Sequence, residues 1–321
     1  MIKYFNHKDI DKQKWDECIS KAPDGIIYAY SWYLDIVCPG WEALVENDYE
    51  KVFPLTARKK SGINYLFQPF FTQQLGMFST TENGQNELLN FIQNIPEKYR
   101  LVEINLNTFN KPESGNPDFI PNLTHELYLN QPYESIVRSY SANLKRNIRQ
   151  ATNTGLLVQS ISDPEEIINI FRNNKGKEIM TLKDEDFLTL KKIIHLCISG
   201  NSAFLKAVIN KNGRIIAGAV FLKSLRKMIF LFSGTSREAK STGAMSFLID
   251  NVIREYSQSE LTLDFEGSND VNLARFYKSF GAEERIYYQY RKNELPLILS
   301  KSITFIKWIR KQNKPNKISF L

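Results

Sequence analysis

Cysteine and histidine are scarce in this sequence, and their scarcity argues against several classes of protein. The 321 residues include three cysteines and three histidines, all far apart along the chain. A disulfide framework needs cysteines in an even, closely spaced set, and a metal site needs clustered His, Cys or carboxylate ligands. The sequence therefore predicts free thiols, a reducing compartment and no bound metal.

Long apolar runs are also missing. The opening stretch MIKYFNHKDIDKQKWDE has no apolar core of signal-peptide length, and no later stretch is apolar over the width of a bilayer. These features predict a cytoplasmic location and no transmembrane segment. The composition, 42% hydrophobic and 24% charged, is that of a folded protein. The net charge of +7 favours anionic partners, and by itself it does not distinguish a phosphate, a nucleotide, RNA or a membrane surface.

The sequence does contain an order of elements that occurs twice. In the first half, three apolar runs precede a helical pattern and a strand: WEALVEND, KVFPLTARKK, NYLFQPFFTQQLGMF, NELLNFIQNIPEKY and LVEINLN. The second half repeats this order, with a hairpin signal, KNG, after the first run: AFLKAVIN, RIIAGAVFLK, KMIFLFSG, AMSFLIDNVIREY and LTLDFEG. The repeat predicts an α/β (α+β) fold of two similar domains, each with a mixed, mostly antiparallel sheet flanked by helices.

The predicted domain boundaries follow from this order. We expect an N-terminal domain over 1–130, a linker helix over 131–155, a C-terminal domain over 156–295 and a basic amphipathic tail over 296–321. The linker, PYESIVRSYSANLKRNIRQATNTG, is predicted to be one helix that ends at Gly155. We expect the tail to dock on the N-terminal domain, and peripheral contact with an anionic membrane surface is the alternative.

The stretch FLFSGTSREAKSTGAMSFLIDNVI joins a strand to a helix through small and basic residues. The first N–H groups of a helix lack partners within it, and the helix dipole favours an anion there. Small residues would let a phosphate approach these groups closely. The candidate cofactor-binding residues are Ser233, Gly234, Thr235, Arg237, Lys240, Thr242, Gly243 and Ala244. The alternative is an ordinary strand–loop–helix turn with solvated basic side chains.

The next segment, DFEGSNDVNLARFYKSFGAEERIYYQY, resembles the last part of the GNAT acyltransferase fold. On that match Tyr277 stands at the family's tyrosine, often a general acid near the thioester sulfur, and Gly281 stands at its glycine. The preceding loop then resembles the family's pyrophosphate-binding loop, with Lys240 and Gly243 at its first and fourth positions. Met245 takes the sixth position, where the family has glycine or alanine. The resemblance implies acetyl-CoA or another acyl-CoA as co-substrate.

The two-domain order, with the basic stretch LKRNIRQATNTG before the second half, resembles the FemAB-like group of tandem GNAT folds. Known members of that group transfer amino acids from aminoacyl-tRNA to peptidoglycan precursors, and related families use acyl-CoA or acyl carrier proteins. The resemblance implies acyl transfer to an amine, with the donor on the C-terminal domain and the acceptor on the N-terminal one. Three functions stay open: an N-acyltransferase acting on a small-molecule amine, an aminoacyl-tRNA-dependent transferase acting on a peptidoglycan precursor, and a non-catalytic binding protein. We expect no DNA partner.

Acyl transfer needs a neutral amine, a hydrogen-bond donor to the carbonyl oxygen and a proton for the leaving group. Tyr277 is the predicted acid, and a backbone N–H at 233–235 is the predicted carbonyl donor. In LTLDFEG, strand alternation places Asp264 and Glu266 on one face, where they could bind an ammonium group and accept its proton. The alternatives are a tyrosine that packs in the core and a salt-bridged strand face.

Polar residues elsewhere are candidates for acceptor binding. Gln68, Gln73 and Gln74 lie among aromatic residues and could line an acceptor groove between the domains, or could cap strand ends. Lys145 and Arg149 are i, i+4 neighbours on the predicted linker helix. They could contact a phosphate or a tRNA acceptor stem, and a solvated helix face is the alternative.

Overall fold

The computed structural model describes residues 1–81, 84–178, 182–267 and 269–296 of the chain. These residues form two compact units, 1–122 with 286–296 and 123–285. Residues 131–155, predicted as the linker, lie within the second unit. The tail from 297 onward lies outside the described residues, so its docking and its membrane contact stay predictions. No described helix has both the length and the apolar character that a membrane crossing requires.

The first unit contains helices and strands that alternate along the chain. Its helices are α1 (Lys12–Lys21), α2 (Ser31–Val37) and α3 (Gln85–Gln93), with 3-10 turns at His7–Asp9 and Ile27–Ala29. Its strands are β1 (Ile2–Phe5), β2 (Glu42–Glu46), β3 (Lys51–Leu55), β4 (Ala57–Lys60), β5 (Ile63–Phe67), β6 (Phe78–Ser79) and β7 (Leu101–Asn105). The chain passes between the units within β8 (Phe119–Tyr128) and again within β14 (Glu283–Asn293).

Strand pairing in the first unit is mostly antiparallel. Strands β1, β2, β3 and β6 form a four-stranded antiparallel sheet in that order. Strand β4 pairs with β5 antiparallel, β5 pairs with β7 parallel, and β7 pairs with β14 antiparallel. Helix α3 buries Leu88, Phe91 and Ile92 at helical spacing, and its apolar face covers the core around Phe53.

The second unit contains the remaining helices and strands. Its helices are α4 (Tyr133–Arg138), α5 (Ala142–Asn153), α6 (Glu165–Asn173), α7 (Asp184–Ser199), α8 (Arg237–Thr242), α9 (Ala244–Tyr256) and α10 (Val271–Lys278), with a 3-10 turn at Lys175–Glu178. Its further strands are β9 (Leu157–Ile161), β10 (Ala203–Ile209), β11 (Ile215–Ser224), β12 (Lys227–Thr235) and β13 (Thr262–Asp264). They follow the order β8–β13–β12–β11–β10–β9, in which only the β12–β13 pair is parallel. The predicted mixed, mostly antiparallel sheet with flanking helices is confirmed.

The linker helix predicted over 131–155 is two helices rather than one. Helix α4 ends at Arg138, and α5 begins after Ser141, whose hydroxyl accepts a hydrogen bond from the Leu144 N–H at 3.2 Å. A serine in this N-cap position starts a new helix, so the interruption has a local cause. The predicted end at Gly155 is confirmed, since this glycine has the left-handed φ of 69° that stops a helix.

Two glycines bring α6 directly onto the sheet. Gly218 of β11 and Gly234 of β12 are register partners on neighbouring strands. A Cβ atom on Gly218 would lie 2.6 Å from the Ile167 side chain, and one on Gly234 would lie 2.3 Å from the Ile167 carbonyl oxygen. Both positions therefore need glycine for close helix–sheet packing. This packing holds Phe171, near the end of α6, against the ring of Phe232 on β12, 4.7 Å between centres.

Candidate active site

The end of β12 separates from its parallel neighbour. Within the described residues, β12 pairs with β13 only from Lys227 to Ile229, and β13 ends at Asp264. Strand β12 continues beyond this point to Thr235, paired on its other side with β11. A diverging strand end leaves backbone groups along one edge that can bind an extended ligand. The predicted backbone N–H donor at 233–235 lies within this strand end.

A cavity of about 330 Å³ lies beside this strand end, in the second unit. Five of its lining residues are apolar: Phe171, Phe230, Met245, Leu273 and Phe276. The four others are polar or basic: Lys175, Ser233, Thr235 and Lys240. Three of the predicted cofactor-binding residues, Ser233, Thr235 and Lys240, are thus brought together on one cavity.

The basic stretch after β12 is helical rather than an open loop. Ser236 caps α8 by accepting a hydrogen bond from the Ala239 N–H at 3.1 Å. The Lys240 N–H donates to the Ser236 carbonyl at 3.1 Å, and the Thr242 hydroxyl donates to the Glu238 carbonyl at 2.9 Å. These groups are therefore already used inside α8, and the picture of an open phosphate-binding loop at 237–242 is corrected. Arg237 is exposed and is not among the residues that line the cavity.

Gly243 has a structural reason to be glycine. It ends α8, precedes α9 and has a left-handed φ of 73°. A Cβ atom there would lie 2.6 Å from the backbone oxygen of Asn147 on α5, a contact that no side chain tolerates. Ala244, the first residue of α9, is fully buried. Replacing Gly243 would disturb the packing of α5, so the role predicted for it in phosphate binding needs other variants to test it.

Tyr277, the predicted acid, is fully buried on α10. Its ring stacks on Phe265 at 4.7 Å between centres, and Phe265 in turn contacts the cavity residue Phe230 at 6.3 Å. The Tyr277 hydroxyl has no hydrogen-bond partner among the described residues. Burial, followed by the nearby carboxylates of Glu266 and Asp264, raises the pKa of Tyr277 well above its ordinary value. Tyr277 is therefore protonated at neutral pH and stands behind the cavity wall rather than in it.

A histidine that the sequence analysis passed over lies beside Tyr277. The ring of His125 is fully buried, 6.0 Å from the Tyr277 ring between centres. Its Nε2 atom is 3.8 Å from a carboxylate oxygen of the half-exposed Glu284. Burial lowers the pKa of His125, so the ring is neutral at pH 7. No spacing in the sequence could have indicated this contact, because the two residues come from β8 and α10.

Asp264 is part of a buried ionic cluster. One carboxylate oxygen accepts from the Thr124 hydroxyl at 2.5 Å and from the Glu266 N–H at 3.0 Å, and the other accepts from Lys227 at 3.1 Å. Lys227 also donates to Glu126 at 2.6 Å. Burial alone would lower the pKa of Lys227. The negative charges of Asp264 and Glu126 and their hydrogen bonds to Lys227 together outweigh burial and raise this pKa above its ordinary value. The oxygens of Asp264 are thus occupied by protein groups.

Glu266 is not on a strand face with Asp264, and this expectation is corrected. Strand β13 ends at Asp264, and Glu266 follows in a left-handed conformation with φ of 55°. Its backbone N–H is held by the Asp264 carboxylate, and its side chain is partly buried. The alternation rule failed here because it holds only while the chain remains extended.

The three predicted glutamines hold a loop of the first unit together. Gln68 donates to the Thr72 carbonyl at 2.6 Å and accepts from the Asn105 N–H at 2.8 Å. Gln74, 1% exposed, donates to the Gln73 side chain at 2.9 Å and accepts from the Thr108 N–H at 3.2 Å. These contacts match the alternative in which the amides cap strand ends, and the acceptor role of the glutamines stays a prediction.

Lys145 and Arg149 are both exposed on α5, as the i, i+4 spacing predicts. The Lys145 ammonium lies 3.5 Å from the Arg138 carbonyl at the end of α4. The same helix reaches the junction, because the Gln150 side chain donates to the Ser241 carbonyl at 2.8 Å. Arg146 between them is also exposed. The basic face is therefore available to solvent next to α8.

The sequence analysis missed most of the apolar cavity wall. Phe171 and Lys175 come from α6 and the turn after it, far upstream of the junction. Leu273 and Phe276 lie three residues apart on α10, a spacing that indicates a shared face. Met245, noted only as a departure from the family's loop, is a lining residue. Among the described residues no group of His, Cys, Asp and Glu is arranged to bind a metal ion.

No family model matches the sequence, and no curated protein matches it significantly. Solved structures do match in fold. FemX is 15% identical with a TM-score of 0.61, over 89% of this chain and 97% of FemX. A protein of unknown function from Bacteroides thetaiotaomicron is 10% identical with a TM-score of 0.59, and the match covers 91% of this chain and 100% of that protein. The C-terminal domain of a protein described as a lysylphosphatidylglycerol synthetase from Agrobacterium fabrum is 9% identical with a TM-score of 0.55. That match covers 92% of this chain and 95% of the domain. The chain therefore has the tandem GNAT fold of the FemAB-like proteins.

Proposed function

We propose that the protein is an N-acyltransferase that binds its acyl donor in the cavity of the second unit. The observation that carries the proposal is the joint position of Ser233, Thr235 and Lys240 on one cavity beside a diverging strand end. Backbone and hydroxyl groups at such an end can align an extended thioester. The tandem GNAT fold supports acyl transfer as the class of reaction, although fold alone is a weak guide to the substrate.

In this proposal the two ends of the donor meet different parts of the cavity. Lys240 and Lys175 supply positive charge for the phosphate groups of an acyl-CoA-type thioester. The strand end at Ser233 and Thr235 supplies donors to the thioester carbonyl oxygen, which gains negative charge in the transition state. The acceptor is an amine, either a small molecule or part of a peptidoglycan precursor.

The proposed reaction forms one C–N bond and breaks one C–S bond. The neutral amine attacks the thioester carbonyl carbon, and the tetrahedral intermediate expels the thiolate. Tyr277 is the proposed source of the proton that converts the thiolate to a thiol, which requires its ring to turn toward the cavity that it does not line. Glu266 accepts the proton that the amine loses. Asp264 is a positioning residue in this scheme, because its carboxylate holds the Glu266 backbone N–H at 3.0 Å.

Donor binding is the first test of this proposal. Acetyl-CoA, longer acyl-CoAs and free coenzyme A would be titrated by calorimetry and thermal shift, and a ligand at 100 times its dissociation constant adds about 2.7 kcal/mol of stability. We expect Lys240→Glu to weaken binding about tenfold, because it reverses a charge on the cavity. Lys192→Glu, at an exposed lysine of α7 outside the cavity lining, is the matched control. Equal affinity of both variants for every thioester would contradict the proposed site.

Turnover separates the proposed enzyme from a non-catalytic binding protein. The protein, a bound acyl-CoA and a panel of primary amines would be incubated, and release of free thiol would be followed. We expect thiol release that depends on the amine. A donor that binds and releases no thiol with any amine would favour a binding protein with the same fold.

A second candidate function is aminoacyl-tRNA-dependent transfer. The observation that favours it is the exposed basic face of α5, formed by Lys145, Arg146 and Arg149. Binding of tRNA through such contacts would weaken steeply as salt rises, because each neutralised phosphate releases counterions. Lys145→Glu with Arg149→Glu should then lower tRNA affinity and reduce the salt slope. Absence of tRNA binding at low salt would remove this candidate.

A further inference from the structure

We propose that the acyl group bound by this protein is an uncharged aliphatic chain of medium length, rather than an acetyl or an aminoacyl group. The inference rests on the proposed function and specifies the donor that the same cavity takes. Its basis is the apolar lining and the volume of the cavity, together with the sign of the charges around it.

The deep part of the cavity is hydrocarbon and aromatic. Phe171 and Phe230 are each 1% exposed in the structure, and they come from α6 and β12. Met245, Leu273 and Phe276, from α9 and α10, complete the apolar lining and are partly buried. A ligand that contacts these side chains gains free energy in proportion to its own apolar area. An acetyl group has only one methyl group and would contact little of this apolar surface.

The cavity volume agrees with a longer chain. The cavity holds about 330 Å³, at the lower end of the range of roughly 300–1,000 Å³ that is usual for small-molecule sites. An apolar cavity of about 150 Å³ is enough to hold benzene without water. The space beside β12 is therefore larger than an acetyl group needs, and it matches several methylene groups next to the thioester.

The charges around the cavity disfavour an aminoacyl group. An aminoacyl ester carries an α-ammonium group, which needs a carboxylate or several acceptors when it is withdrawn from water. Within the described part of the chain, the ionisable lining residues are Lys175 and Lys240, and none of the lining residues is acidic. Glu266, the proposed base for the acceptor amine, does not line the cavity, so no lining carboxylate would pair with an α-ammonium group, whereas an uncharged acyl chain has no such need.

Met245 also favours an aliphatic ligand. It occupies the position at which the family's loop has glycine or alanine, and its side chain lines the cavity. A methionine is unbranched and flexible, so it adapts to chains of different shape. The departure from the loop pattern thus adds apolar surface at the place where acyl binding is proposed.

The test compares octanoyl-CoA, acetyl-CoA and alanine amide in calorimetric titrations of the full chain. Each methylene that enters an apolar site gains about 0.8 kcal/mol, close to fourfold in affinity. We expect octanoyl-CoA to bind at least about tenfold more tightly than acetyl-CoA, and alanine amide not to compete. Equal affinity of the two thioesters would overturn this inference and leave the proposed donor site intact. Failure of both thioesters to bind would overturn the proposed donor site itself.

Two substitutions of Leu273, with one control on the same helix, test whether the chain-length preference arises in this cavity. Leu273→Asp places a charge in the cavity lining, and it should remove the preference for octanoyl-CoA over acetyl-CoA. Val271→Asp is the matched control, since Val271 is 73% exposed on the same helix. Leu273→Phe keeps the lining apolar and narrows it, so it should shift the preference toward shorter chains without unfolding the protein. An unchanged octanoyl preference in both Leu273 variants would contradict the assignment of the cavity.

The same titrations identify the source of the acyl chain. Octanoyl-pantetheine has the acyl chain and the thioester of octanoyl-CoA and lacks the nucleotide. If it binds as tightly as octanoyl-CoA, the nucleotide is not recognised and the chain can arrive on a carrier without one, such as an acyl carrier protein. If it binds more weakly, the coenzyme A nucleotide is part of the recognised ligand. Measurable binding of octanoyl-pantetheine in either case supports the aliphatic chain, and loss of that binding together with equal affinities for both CoA thioesters would contradict it.

Discussion

Strand ends in the two units lead into segments of opposite character. In the first unit, the segment after β5 is held closed by amides, since Gln68 and Gln74 bind backbone groups from Thr72 and Thr108. In the second unit, the end of β12 and helix α8 border a cavity of about 330 Å³ with an apolar lining. Satisfied buried amides fix a loop and leave little for a ligand to bind, whereas an apolar cavity wall beside lysine side chains is suited to one. This contrast supports a donor site in the second unit.

The two units also differ in how they bury charge. Lys227 on β12 of the second unit contacts Glu126 on β8 and Asp264 on β13 at 2.6 and 3.1 Å. Lys51 in the first unit lies 3.6 Å from Glu46 and 3.9 Å from Glu87, beyond hydrogen-bond distance. The Lys227 cluster is therefore tightly coupled, and it includes Asp264, the last residue of β13.

The largest expected effect comes from removing Lys227. Lys227→Met leaves the buried Asp264 carboxylate without its cation and leaves Glu126 only the longer Arg285 contact at 3.7 Å. Breaking a buried ion pair by removing one partner costs about 3–5 kcal/mol. Chemical denaturation should show a loss of this size. The matched control is Lys51→Met in the first unit, where the loss should be smaller because both ion pairs are longer than those of Lys227. Equal losses in the two variants would mean that the two clusters do not differ as the distances indicate.

Tyr277→Phe is expected to have the next largest effect, on rate rather than on stability. Removal of a general acid typically lowers the rate about hundredfold or more, and the hydroxyl makes no hydrogen bond among the described residues that its loss would break. Thiol release and thermal unfolding would be measured together. Tyr140→Phe is the control, because Tyr140 is another buried tyrosine of the same core. An unchanged rate in Tyr277→Phe would assign Tyr277 to packing alone.

Gln74→Ala should have the smallest effect and should be confined to the first unit. The change leaves the Thr108 N–H without its acceptor, at a cost of about 1–3 kcal/mol. Affinity for the acyl donor should stay at the wild-type value in titrations. A rise in KM for the amine with unchanged stability would instead favour the acceptor-binding role that the sequence predicted for this glutamine.

The fold was largely predictable, because it depends on patterns that are local in the sequence. Alternating apolar runs, the KNG hairpin signal and the amphipathic stretches of α3 and α9 each reflect burial of one face. The break between α4 and α5 was missed, since a serine can cap a helix or lie within one, and tertiary contacts decide between the two.

The site was less predictable, since its residues meet only in the folded chain. Ser233, Thr235 and Lys240 were found because a strand–helix junction is visible in the sequence. Phe171 lines the cavity because α6 packs closely against Gly218 and Gly234. Nothing near Phe171 in the sequence indicates that packing. Gly243 shows a different limit, because the sequence cannot distinguish a glycine required for packing against Asn147 from one required for a phosphate.

The most direct measurement is a crystal structure of the protein with an acyl-CoA or a non-hydrolysable analogue of one. We predict that the thioester lies along β12 at Ser233–Thr235 and that the acyl chain contacts Phe230, Met245 and Leu273. A donor bound elsewhere, for example at the glutamine loop of the first unit, would contradict this account.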